Sequence, residues 1–93
     1  MPYIEQHIRT ELDPKIDELK TVLINCDKAY ELPGCLNYVI TRLILDTLGL
    51  KKYPRYWKIV IAMGTLITVA FELYRRVAVP YEEKKIIQNG DVY

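Results

Sequence analysis

WKIVIAMGTLITVAFELYRRVAV, Trp57 to Val79, is the stretch whose reading decides the fold. It contains the longest uncharged run in the chain, the 13 residues from Ile59 to Phe71. KIVI at 58–61 alone is ambiguous between strand and helix, but the continuation through AMGTLITVAFELYRR is too long for a strand and favours a helix. Its β-branched residues Ile59, Val60, Ile61, Ile67, Thr68 and Val69 lower helix propensity, and Gly64 costs about 1 kcal/mol relative to alanine. Burial against other elements must compensate, so the stretch is expected to be a central helix on which the rest of the chain packs.

The polar residues within it are ordered. Lys58, Thr65, Thr68, Glu72 and Arg75 or Arg76 recur at steps of seven, three, four and three or four, which draws a narrow polar seam along an otherwise apolar cylinder. The apolar arc covers well over half of the circumference. One neighbouring helix does not cover that: either several helices surround it or a second chain meets part of it. A membrane span needs about 20 predominantly apolar residues. Here Lys58 and Glu72 bracket the uncharged run, so no membrane association is expected. Tyr56, Trp57 and Tyr74 flank it as aromatics do at bilayer interfaces, but also as they do at helix packing surfaces.

Working outward, five helices are expected: 5–12, 14–26, 34–48, 55–79 and 81–89, with a tail at 90–93. Ile4, Ile8 and Leu12 mark a greasy edge on the first. Asp13-Pro14 reads as an N-cap and first helical residue opening the second. Asp27 to Gly34 (DKAYELPG) breaks the pattern, with Pro33 able to open the next helix. Leu36, Val39, Ile40, Leu43, Ile44 and Leu48 carry the cleanest helical period, and Gly49 follows where a left-handed residue is wanted. Pro80 is expected to end the central helix and start a short last one, which Asn89-Gly90 stops. The fold class is all-α: a small bundle of about four or five helices around one long central apolar helix, in a single domain over 1–93.

Composition excludes more than it assigns. Thirteen basic against 12 acidic residues leave a net charge of +1, which gives no general reason to bind nucleic acid. At 51% hydrophobic the chain is globular rather than disordered, and a helical protein this small with this much apolar content is expected to form a homo-oligomer. No apolar signal segment opens it, so a cytoplasmic location is expected and Cys26 and Cys35 read as reduced thiols. Their spacing of nine fits no metal signature, and the chain is short of zinc ligands. No cofactor, no metal and no catalytic constellation is indicated, which argues against an enzyme. His7, the only histidine, reads as a surface residue.

A few polar residues remain. Glu72, Tyr74, Arg75 and Arg76 form the densest cluster. Two arginines there could clamp a phosphate or carboxylate, as a nucleotide- or nucleic-acid-binding module would. The blander reading pairs Glu72 with Arg76 at i, i+4. Asn37 and Thr41, four apart, could bond the polar seam of the central helix or simply face water.

PGCLNYVITRLI (33–44) and GTLITVAFELYRRVAVPYEEKKIIQNGDVY (64–93) carry a resemblance. With the MPYI opening, they resemble a family of short, uncharacterised bacterial and phage-associated proteins, a domain of unknown function. Its motif falls on Asn37, Tyr38, Thr41, Glu72, Tyr74, Arg75, Arg76, Pro80, Tyr81, Glu82, Lys85, Asn89, Gly90, Asp91 and Tyr93. The resemblance implies a stand-alone small helical protein that is complete at Tyr93, and it carries no activity. Asn37, Thr41, Glu72, Tyr74, Arg75, Arg76 and Asp91 are the candidate ligand-binding residues. Relatives carry an acidic residue, as LEC, where this chain has Leu66-Ile67-Thr68, which lowers an enzymatic reading further. The leading expectation is a structural or interaction protein that self-associates through its apolar central helix.

Overall fold

The computed structural model describes residues 3–26 and 31–93. Among them every regular element is helical. α1 runs Gln6–Ile24, α2 runs Leu32–Leu48 and α3 runs Tyr56–Leu73. A π-helical turn, Tyr74–Ala78, joins α3 to α4, Val79–Asn89, and the three segments form one continuous rod of 34 residues, Tyr56–Asn89. The chain is therefore all-helical with one long apolar helix, but it has three helices rather than four or five.

Two prolines account for the difference in count. Pro14 lies inside α1 instead of opening a second helix. An interior proline removes one i→i−4 bond and presses on the carbonyl four residues back, yet on an exposed helix that fault stays local. Pro80 lies inside the long rod. With no N–H of its own, it would crowd the carbonyl of Arg76. The widened turn just before it absorbs the conflict: the N–H of Val79 bonds back five residues to the carbonyl of Tyr74. Val79 keeps helical dihedrals, φ −61° and ψ −51°, despite preceding a proline.

Between α2 and α3 the turn is built by local chemistry. Gly49 takes φ 62°, the left-handed conformation that ends helices, and its N–H bonds the carbonyl of Leu45. Lys58 Nζ lies 3.8 Å from where a Cβ on Gly49 would stand. The half-buried Lys58 thus carries its ammonium near the C-terminal end of α2, where a positive charge is favourable. The DKAYELPG break falls partly outside the described residues, at 27–30, and Pro33 lies in the first turn of α2.

Among the described residues, the expected surrounding bundle is absent. Ala62 is the one buried hydrophobic residue among the described residues, and it sits on the α2-facing side of α3. Ile40, Ile44 and Leu45 of α2 approach Ile59, Ala62, Met63 and Leu66 there. Among the described residues, α1 comes up to α2 near Leu19, Leu23 and Cys26. The radius of gyration is 17.0 Å, and the long axis reaches 51 Å; a compact chain of this length has a radius near ~12 Å. The long helix holds an 18-residue window apolar enough to cross a membrane by length and composition, and 6% of that window is buried. Its central position in the sequence pattern is thus not matched by coverage from its own chain.

Candidate functional site

The polar seam of α3 forms one wall of an open cleft of about 630 Å³. Thr65, Thr68, Val69, Glu72, Leu73, Arg76 and Val77 line it, and Tyr3 reaches in from the N-terminal segment. Thr68 spends its hydroxyl within the helix, donating to the carbonyls of Gly64 at 2.9 Å and Thr65 at 3.0 Å. Glu72 is the least exposed charge here, with its side chain 19% accessible. Both its oxygens accept from Arg75 Nη2, at 3.1 and 3.2 Å. The expected Glu72–Arg76 pairing is therefore replaced by an i, i+3 pairing to Arg75. The π turn starting at Tyr74 changes the angular step along the helix, and Arg76 lies over the cleft while Arg75 takes the carboxylate.

This geometry favours cohesion over anion capture. Glu72 engages Arg75, so of the two arginines Arg76 alone is placed over the cleft, and a two-arginine clamp on one anion is not assembled. Most of the lining is apolar or hydroxyl-bearing. Tyr74 is exposed at 57% and is not part of the cleft wall.

Asn37 and Thr41 sit elsewhere. Thr41 Oγ1 donates to Asn37 Oδ1 at 3.3 Å on α2, and both edge a second, mainly apolar cleft of about 410 Å³ between α2 and α3. They bond each other rather than the seam. The next residue, Arg42, donates to Asp46 at 2.9 Å and to the Tyr38 hydroxyl at 3.0 Å. The hydrogen bond to Asp46, then that to Tyr38, raises the guanidinium pKa above its usual value, so Arg42 stays charged throughout the accessible pH range. Asp91 accepts from the backbone N–H of Tyr93 at 2.9 Å, a local turn in the exposed tail. His7 is exposed and contacts Glu5 at 3.3 Å. The candidate residues thus divide among the seam, the α2 surface and the tail. Among the described residues no group of three His, Cys, Asp or Glu stands close enough to hold a metal ion.

The sequence reading missed two features. Cys26 and Cys35 meet, with their sulfurs 3.3 Å apart. And the side of α3 turned away from α2 carries Trp57, Val60, Gly64, Ile67, Phe71 and Tyr74, at steps of three, four, three, four and three. That is the heptad spacing of a helix–helix seam. All six are exposed, Phe71 at 70%. The excess apolar arc was a signal for this stripe; which part of the arc α2 would cover was not readable.

Residues 1–92 match the family model described as a domain of unknown function, DUF6899. The chain belongs to the DUF6899 family. No curated protein and no solved structure matches it. This DUF6899 member is therefore read from its own surface.

Proposed function

We propose that this DUF6899 chain is a small structural or interaction protein that self-associates, with the Trp57–Tyr74 stripe of α3 covered by a second copy. The observation that carries the reading is uncovered area. The chain exposes 8442 Å², whereas a folded monomer of 10.9 kDa exposes about 5600 Å² by size scaling. The surplus, roughly 2800 Å² per chain on that scaling, or about twice that for two copies, is enough for an obligate interface, which buries about 2000–5000 Å² in total over both partners. The heptad spacing supplies the form of the contact: a helix with this seam packs knobs into the holes of another like it, and Gly64 at its centre permits close approach.

A bilayer is a poorer cover. The uncharged run Ile59–Phe71 spans about 20 Å at 1.5 Å per residue, against a hydrocarbon thickness near 30 Å. Glu72, Arg75 and Arg76 follow at once. The alternative, a nucleotide- or nucleic-acid-binding module on Arg75 and Arg76, has less support because Glu72 already engages Arg75.

Sedimentation equilibrium on the wild-type chain and on Phe71→Asp tests the proposal. A side chain 70% exposed in an isolated chain tolerates substitution within about 0.5 kcal/mol. At the centre of an interface, a buried charge costs at least about 2 kcal/mol, or some 30-fold in dissociation constant. The expected result is a wild-type oligomer that Phe71→Asp dissociates. A wild-type monomer at tens of micromolar, or partition of the chain into neutral phosphatidylcholine vesicles, would overturn the reading.

A further inference from the structure

Cys26 and Cys35 carry the chain's two thiols, and the proposed self-association does not use them. Cys26 directly follows the C-cap of α1, its N–H bonded to the carbonyl of Leu23 at 3.1 Å. Cys35 lies in the first turn of α2, its N–H bonded to the carbonyl of Glu31 at 2.9 Å. Each sulfur is therefore carried by backbone that a helix end holds in place. The two Sγ atoms are 3.3 Å apart and make a thiol–thiol hydrogen bond, and both side chains are half-buried. Leu19, Val22, Leu23, Tyr38 and Val39 line, with both cysteines, an open and mainly apolar cleft of about 520 Å³.

We propose that Cys26 and Cys35 form a modification site: a dithiol that small-molecule disulfides oxidise to an intramolecular disulfide, which locks the joint between α1 and α2. A disulfide bond is about 2.05 Å long, so the sulfurs close by little more than an ångström, with no atom between them. The chemistry balances by two exchanges. One cysteine thiolate attacks a sulfur of an oxidised glutathione, forming a mixed disulfide and releasing one glutathione thiolate, which takes up the proton that the cysteine gave. The second cysteine thiolate then attacks the protein-side sulfur of the mixed disulfide. It forms the Cys26–Cys35 bond and expels the second glutathione, which takes the second proton. The protein loses two electrons and two protons, and one glutathione disulfide becomes two thiols. The consequence follows from the packing. Among the described residues, α1 meets α2 at this end, while Ile8, Leu12 and Ile16 further along it stand exposed. A covalent bridge here fixes the direction in which that apolar edge is presented.

The test uses the full chain, reduced and then equilibrated in glutathione buffers of set ratio, quenched with N-ethylmaleimide and weighed intact. The expected product is lighter by two hydrogens, carries neither alkyl group nor glutathione, and regains two alkylation sites after dithiothreitol. At one buffer ratio, the disulfide-to-dithiol ratio should be at least tenfold higher for the folded chain than for the same chain in concentrated guanidinium, because the fold supplies the proximity. Retained glutathione adducts, disulfide-linked pairs of chains, two unreacted thiols, or equal ratios in folded and unfolded chain would each overturn the proposal. Cys35→Ser adds a check: it should keep one glutathione on Cys26 that wild type expels. None of these outcomes depends on whether the Trp57–Tyr74 stripe is an interface.

Discussion

Gly49 ends α2 in a conformation that side-chain-bearing residues avoid, and the cost of replacing it can be isolated. A Cβ there would meet only Lys58 Nζ, at 3.8 Å, which is ordinary contact distance. The penalty is thus conformational, about 1–2 kcal/mol for an L-residue in the left-handed region. Gly34 is the internal control. It lies in the first turn of α2 with negative φ and with no atom within 4 Å of an added Cβ. Alanine there should stabilise by about 0.4–1 kcal/mol, mainly by restricting the unfolded chain. Urea titrations of Gly49→Ala and Gly34→Ala should therefore move the midpoint in opposite directions with unchanged slopes. Shifts of the same sign would mean that the φ of 62° does not control how α2 ends.

At the scale of the element, the long rod depends on how Pro80 is accommodated. The π turn at Tyr74–Ala78 lies just upstream of the proline, where the lost N–H and the ring clash fall. Pro80→Ala restores a donor for the Arg76 carbonyl and removes the reason for the wide turn. It should stabilise the rod by about 1–3 kcal/mol, less than a full interior-proline penalty because the π turn has relieved part of it. Amide exchange at Val79 should slow as the ladder becomes regular; exchange unchanged or faster would assign the π turn to another cause. The same prolines mark what was legible in the sequence. The helical class and the long apolar helix followed from periodicity and run length, as in Leu36 to Leu48 and Ile59 to Phe71. Pro14 and Pro80 did not, because proline at a first helical position and proline within a continuing helix look alike locally. Within the site, the seam Thr65–Thr68–Glu72 followed from spacing. The choice of Arg75 over Arg76 depended on the π turn. The meeting of Cys26 with Cys35 depended on how α1 and α2 pack against each other, which no local pattern encodes.

At the scale of the molecule, the decisive quantity is how little this chain covers of itself. With Ala62 the one buried hydrophobic among the described residues, its own core cannot offset the backbone entropy of ordering the helices, roughly 1–2 kcal/mol per residue. Under the self-association proposed above, burial against a second copy supplies the remainder, and folding and association form one equilibrium. Its signature is concentration dependence. For a dimer that unfolds to two separate chains, each tenfold rise in protein concentration adds about 1.4 kcal/mol to apparent stability. Thermal melts from 1 to 100 µM should therefore shift upward stepwise, and dilution should lower helix content and association together. Ile67→Asp, placed in the middle of the stripe, should abolish the cooperative, concentration-dependent melt and leave helix content reduced at every concentration. A melt independent of concentration over that range, with helix content intact, would mean that the three helices hold themselves in an arrangement more compact than the 17.0 Å radius, and the second copy would not be needed.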